Sequence, residues 1–171
     1  LQVKQENAPN GSERCIDNPF NINATDIDAA IVDFLKKVKH FQDRAWKENP
    51  TKANSKRRLV YGLREVRKQL NSGTAQCIIM AKDIETADHN ELFNEIDVIG
   101  QLCASQNVNM LWISSKHSLG KAVKKFPFVS AVAVCDFRGA EDLYEAAVGI
   151  CEEFTACCRI ADHVDQPSLF A

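Results

Sequence analysis

Lys56-Arg57-Arg58-Leu59-Val60-Tyr61-Gly62-Leu63-Arg64-Glu65-Val66-Arg67-Lys68 is the stretch on which the reading of this chain turns. A short β-prone run ends on a glycine, and a helix then opens. Within it Glu65 and Lys68 stand three apart and Arg64 and Lys68 four apart, the spacings at which helical side chains share a face. A carboxylate among cations at a helix start can accept from guanine edges, while its neighbours donate to O6, N7 and phosphates. The stretch is expected to grip RNA. The competing reading is a surface ion pair between Glu65 and Lys68, worth only ~0.3–0.5 kcal/mol to the helix.

Working outward, the formal net charge of −2 conceals a strongly basic block. Residues 36–68 hold twelve Lys/Arg against three Asp/Glu, a local +9, whereas residues 1–35, 69–136 and 137–171 carry −4, −2 and −5. A focused patch of this sign is the electrostatic footprint of a phosphate binder. A merely solvated helix face mixes the two signs more evenly. With 171 residues, 45% of them hydrophobic, the chain can bury one domain core with a short extension. It opens on Leu1 and so is expected to be a piece of a longer protein.

No apolar run approaches the ~18 residues of a membrane span, and no secretory signal is visible. Seven cysteines (15, 77, 103, 135, 151, 157 and 158) make an odd count and sit mostly in apolar periodic stretches. They read as free buried thiols rather than a disulfide framework or zinc knuckle. Asn10-Gly11-Ser12 and Asn23-Ala24-Thr25 match the glycosylation sequon, a triplet common by chance. The expected compartment is reducing: the cytoplasm, with the nucleus as a second location.

Residues 1–25 lack periodicity and read as a tail. Thr25 and Asp28 resemble a capping box. Ile27, Ile31, Phe34, Leu35, Val38 and Phe41 then recur at helical spacing over 26–48, and Asn49-Pro50 ends the pattern. A basic linker leads to a strand at 58–61 and a helix at 63–71. Strands at 77–81, 109–113 and 130–135 follow, alternating with helices at 90–105, 116–124 and 141–158; residues 161–171 form a second tail. Such alternation implies a sheet covered on both faces. The expected class is α/β, a three-layer α/β/α sandwich around a small mixed sheet of about four strands.

Enzyme patterns are weak. Ser118-Leu119-Gly120-Lys121 matches Ser-x-x-Lys, but its companion motifs Ser-Asp-Asn and Lys-Thr-Gly are missing. The four histidines (40, 89, 117, 163) show no ligand spacing, and no glycine-rich nucleotide loop is present. No enzyme activity, catalytic residue, metal or cofactor is expected.

The segment Gly62-x-Arg64-Glu65-Val66-x-Lys68 resembles the Gly-x-Asn-Glu-x-x-Lys signature of the ribosomal kink-turn-binding family. The likeness continues through Ile79-Met80-Ala81-Lys82-Asp83-Ile84-Glu85, the Cys103…Asn107-Val108 segment and Ser115–Ala122, covering roughly residues 56–136 in order. Arg64 stands where the general family has Asn. With Phe41-Gln42-Asp43-Arg44 and Pro50-x-Lys52-Ala53 upstream, this departure resembles the subfamily that binds the selenocysteine insertion (SECIS) element, a stem-loop in selenoprotein messages with a kink-turn-like core of G·A pairs.

The resemblance implies a kink-turn RNA-binding domain over 56–160, preceded by a helical extension over 26–55 that contributes to RNA selectivity. It implies RNA contacts from Gly62, Leu63, Arg64, Glu65, Arg67 and Lys68, and from Glu85 and Lys116 near an extruded nucleotide. The loop Phe126-Pro127-Phe128-Val129 would offer that base an apolar surface, although a phenylalanine beside a proline before a strand suits a core equally well. Lys52, Lys56, Arg57 and Arg58 would add phosphate contacts. The implied partners are the SECIS element in selenoprotein mRNA, a selenocysteine-specific elongation factor and the ribosome, with no membrane and no DNA. Two alternatives remain: a generic kink-turn binder of ribosomal or small nucleolar particles, and a docking module acting through the acidic C-terminal helix (Glu141, Asp142, Glu145, Glu152, Glu153).

Overall fold

The computed structural model describes residues 23–84 and 90–164, the side chains of Asn90 and of 158–164 excepted. Its elements are α1 (Ala24–Glu48), α2 (Pro50–Ser55), β1 (Leu59–Tyr61), α3 (Leu63–Asn71), β2 (Cys77–Ala81), α4 (Asn90–Gln106), β3 (Asn109–Ile113), α5 (Lys116–Ala122), β4 (Ala131–Val134) and α6 (Glu141–Val164). The strands form one mixed sheet in the order β1-β4-β2-β3. β4 runs antiparallel to both neighbours, with Leu59 opposite Val134 and Ile79 opposite Val132, while β2 and β3 are parallel, with Cys77 opposite Asn109.

Every residue of β2 and β4 is buried, so both faces of the sheet need cover. The two-residue period of a strand sorts them. Cys77, Ile79, Ala81, Val132 and Val134 join a cluster with α1, α5 and α6; Ile78, Met80, Ala131 and Ala133 join one with Val66 and Leu70 of α3 and Ile99 and Cys103 of α4. This is the expected α/β/α sandwich. The two alanines of β4 let α3 lie close against the sheet.

Helix α1 belongs to this core. Ile31, Phe34, Leu35 and Val38 are fully buried, each side chain contributing about 1.5–3 kcal/mol of hydrophobic stabilisation. Phe34 meets Phe137 edge-on at 6.0 Å between centroids and Tyr144 at 5.5 Å. Gln42 closes the outer edge of β1, its Oε1 accepting from the Leu59 amide at 2.8 Å.

Three local expectations are corrected. The capping box sits two residues before Thr25 and Asp28: the Asn23 side chain accepts from the Asp26 amide and Asp26 accepts from the Asn23 amide, both at 3.1 Å. Asparagine caps as well as threonine does, so the earlier site wins. The stretch after Pro50 is helix α2 instead of a linker. Asn49 donates its amide to the Ala45 carbonyl, closing α1, and its side chain accepts from the Lys52 amide, opening α2. Proline suits a first helical turn, where its missing N–H is not needed. Finally, α6 continues to Val164 rather than ending at 158.

Residues 1–22 and 165–171 of the two expected tails lie outside the described residues. Cys77, Cys103, Cys135, Cys151 and Cys157 are free thiols; burial raises the first four above the usual thiol range. Cys15 and the Cys158 side chain fall outside the described residues. Among the described residues no helix is long and apolar enough to cross a membrane, and no cluster of His, Cys, Asp and Glu is suited to a metal ion.

Candidate nucleic-acid interface

Pairing β1 and β2 antiparallel to β4, and β3 parallel to β2, points β1, β2 and β3 the same way. Their carboxyl ends therefore meet the start of β4 along one rim. There the Gly62 amide donates to Ala131 (2.9 Å), the Ala81 amide to Ser130 (3.0 Å) and the Lys82 amide to Ile113 (2.8 Å). The Lys116 amide donates to the Asp83 carboxylate at 2.7 Å. Topology thus assembles segments that are distant in sequence.

Gly62 has φ 93° and ψ 152°, a backbone conformation open in practice to glycine alone. It turns the chain from β1 directly into α3, whose N-terminus no side chain caps. The first-turn amides and the positive end of the helix dipole are left for a ligand. Val66 and Leu70 bury one face of α3, while Arg64, Glu65, Arg67 and Lys68 are exposed on the others. Among the described residues Arg64, Glu65 and Lys68 have no side-chain hydrogen bond or ion pair, so the Glu65–Lys68 surface pair is not formed.

Glu65 stands between two grooves. One, of about 600 Å³, runs between Tyr61–Glu65 and the segment Lys125–Ser130. The other, of about 540 Å³, lies between α3 and the chain from Asn54 to Val60, with Lys56, Arg57 and Lys68 on its walls.

In the loop beyond α5, Phe126 is 98% exposed and Phe128 45%, while Val129 is turned into the core. The phenylalanines thus form the apolar surface and Val129 anchors it. Lys116 Nζ lies 4.8 Å from the Phe128 ring centroid, and the His117 ring meets Phe128 edge-on at 5.9 Å. His117 Nδ1 is 3.3 Å from the carbonyl oxygen of Pro127, itself exposed. Gly120 makes the arrangement possible: a Cβ there would stand 2.7 Å from the Lys125 carbonyl oxygen and 2.9 Å from Phe128 Cα. The loop rests on bare backbone. Lys125 Nζ sits 5.2 Å from the Tyr61 ring centroid, and burial pushes the Tyr61 phenol up to about 12.

Other candidate residues are engaged with the fold. Arg67 pairs with Glu95 at 2.8 Å, tying α3 to α4. Arg58 is half-buried, donates to the Arg138 carbonyl at 2.8 Å and covers the Phe41 ring at 5.2 Å. Arg57 donates to Asn54 Oδ1 at 2.6 and 3.1 Å and keeps an exposed guanidinium. Lys52 and Lys56 are exposed and Leu63 is half-buried at the groove. Glu85 lies outside the described residues.

Sequence reasoning missed Lys125 and Gly120 at the Phe128 loop, and Gln69 and Thr74 on the lining of the second groove. The doublet Lys124-Lys125 before the loop signalled a cation there, although Lys124 turns to Asp43 of α1 at 3.8 Å. Nothing in the sequence signalled Gln69 or Thr74.

Selenocysteine insertion sequence-binding protein 2 of Rattus norvegicus is 33% identical over 151 residues, which is 88% of this chain and 17% of that protein. The 2-like protein of Homo sapiens is 30% identical over 130 residues, 75% of this chain and 12% of that protein. The chain therefore spans a small part of these relatives' length. In fold it is similar to a Giardia lamblia 15.5kD RNA binding protein, with a TM-score of 0.57 and 16% identity, covering 82% of this chain and 98% of that one. The model of the ribosomal protein L7Ae/L30e/S12e/Gadd45 family matches residues 44–144, a span that holds Gly62, α3, both grooves and the Phe128 loop. That match extends over more than half of the sequence, and the chain belongs to the L7Ae/L30e/S12e/Gadd45 family.

Proposed function

We propose that this chain binds RNA through the rim around α3, and that its target is the SECIS stem-loop of selenoprotein messages, recognised at a kink-turn-like core of G·A pairs. In this reading it acts without catalysis. It helps a selenocysteine-specific elongation factor decode UGA at the ribosome, in the cytoplasm. The observation that carries the proposal is the unpaired, exposed Glu65 on a helix opened by Gly62, flanked by free cations and set between two grooves.

A-form RNA closes its major groove to side chains, so such a residue can read bases only where sheared pairs distort the duplex. There Glu65 accepts from guanine N–H groups, Arg64 and Lys68 donate to O6, N7 or phosphate, and the open start of α3 receives a phosphate. Phe126 and Phe128 offer an extruded base a stacking surface, worth about 1–3 kcal/mol. The likeness to selenocysteine insertion sequence-binding proteins favours the SECIS element over other kink-turns.

Competition titrations test this directly. The chain should prefer a SECIS stem-loop to an ordinary kink-turn, and Glu65→Ala should cost ~1–3 kcal/mol against the G·A core. Equal binding of that variant to the cognate stem-loop and to one with Watson–Crick pairs in the core would refute the assignment of the site.

A further inference from the structure

The groove on the far side of Glu65, between α3 and α2, flanks the proposed G·A site but has been given no ligand of its own. It differs from the groove at the Phe128 loop in being polar and in carrying cations on opposite walls. Lys56 and Arg57 rise from the chain after α2, and Lys68 faces them from α3. Arg57 is held in place by Asn54 Oδ1, and Asn54 is fixed in turn by α2, which Asn49 caps and the buried Ala53 anchors.

The floor is organised as well. Gln69 Oε1 accepts from Thr74 Oγ1 at 2.6 Å and from the Cys135 thiol at 3.8 Å. Thr74 is pinned by its amide, which donates to the Gln69 carbonyl at 3.1 Å. With Oε1 so occupied, the Gln69 amide nitrogen has no acceptor among the described residues and is left as a fixed donor in the groove. The volume of about 540 Å³ lies within the range of sites that hold a nucleotide-sized ligand.

We propose that this groove is a second nucleotide subsite, taking one unpaired nucleotide of the bound RNA next to the G·A core, with its phosphate on Lys56 and Arg57 and its base edge on the Gln69 amide. The inference rests on the RNA-binding reading of α3. Continuity supports it: Glu65 and Lys68 border the groove, so RNA lying along α3 passes its mouth. Charge supports it too: Lys56, Arg57 and Lys68 outnumber the two carboxylates of the lining, Glu65 and Asp136, and Asp136 is already held by Arg138 at 2.8 Å. The cations and the amide donor therefore suit a phosphate joined to a hydrogen-bonding base rather than an apolar side chain.

The test is a binding titration of the full chain against SECIS stem-loops in which each unpaired nucleotide flanking the G·A core is made abasic in turn. At one position the abasic change should weaken the wild-type chain about tenfold. Against Gln69→Leu the same change should cost less than about twofold, since the lost contacts are already gone. Thr74→Val, at an exposed position, supplies a second variant with the same expected masking should Gln69→Leu fold poorly. In parallel, the RNA should slow alkylation of Cys135, and the abasic RNA should not. The inference is overturned if no position shows masking, or if Cys135 is equally accessible with both RNAs. Glu65→Ala separates the two readings: loss of G·A binding in that variant without masking at Gln69 sinks the subsite alone, whereas no loss at Glu65 sinks both.

Discussion

An alanine at position 62 would have to hold φ near +93° with ψ near 152°, where a Cβ clashes with its own backbone although no neighbour lies within 4 Å. Gly62→Ala should therefore destabilise the fold by ~1–3 kcal/mol, read as a lower urea midpoint at unchanged slope. Gly120 is constrained by space rather than by torsion. Gly120→Ala places a methyl 2.7 Å from the Lys125 carbonyl and must push the loop outward. RNA affinity should fall by about tenfold while the urea midpoint moves less than in Gly62→Ala; the reverse ranking would deny the loop its role. Of the two, only Gly62 was legible in the sequence, because its β-run and helix are contiguous with it. Gly120 needs the Phe128 loop beside it, and no local pattern announces that contact. The same limit applies to Arg58: its contacts within the fold, the Phe41 ring and the Arg138 carbonyl, come from remote segments that no local pattern announces.

Among the elements, strands 77–81 and 109–113 were readable to the residue: the first is a fully buried apolar run with sharp ends, and the second, at the sheet edge, is a short apolar run opened by the exposed Asn109. Helix α2 was not readable. Asn49-Pro50 serves as both stop and start, and six residues with one buried alanine leave no periodic signal. That brevity has a consequence for Asn49→Ala. The change removes the cap of α2, worth ~1 kcal/mol, from an element with little core of its own. Hydrogen exchange should show faster opening of residues 50–55 and near-native protection in β2. RNA affinity should fall with it, because Asn54 and Arg57 lose their scaffold. Uniform loss of protection across the sheet would instead make α2 part of the cooperative core.

For the whole molecule, the basic block of residues 36–68 sits in a chain of net charge −2, so attraction to RNA is local rather than global. Neutralising ~6 phosphates should make log K fall against log salt with a slope of about −5. Charge-neutral substitutions on the acidic face of α6 should leave that slope unchanged; a slope near zero would mean that the block takes no part in binding. The layered architecture followed from the alternation of periods, yet the convergence of Gly62, Asp83, Lys116 and Ser130 on one rim did not, because strand order is not written in any single segment.

Ala131 and Ala133 lie with no exposed surface beneath α3. Their two methyl groups set the standoff between the sheet and the helix that displays Glu65, and thereby the height of that carboxylate above the rim. Bulkier residues there would jack the helix upward without touching a single exposed side chain, so this fold can retune its reach toward a ligand from beneath, through its interior alone.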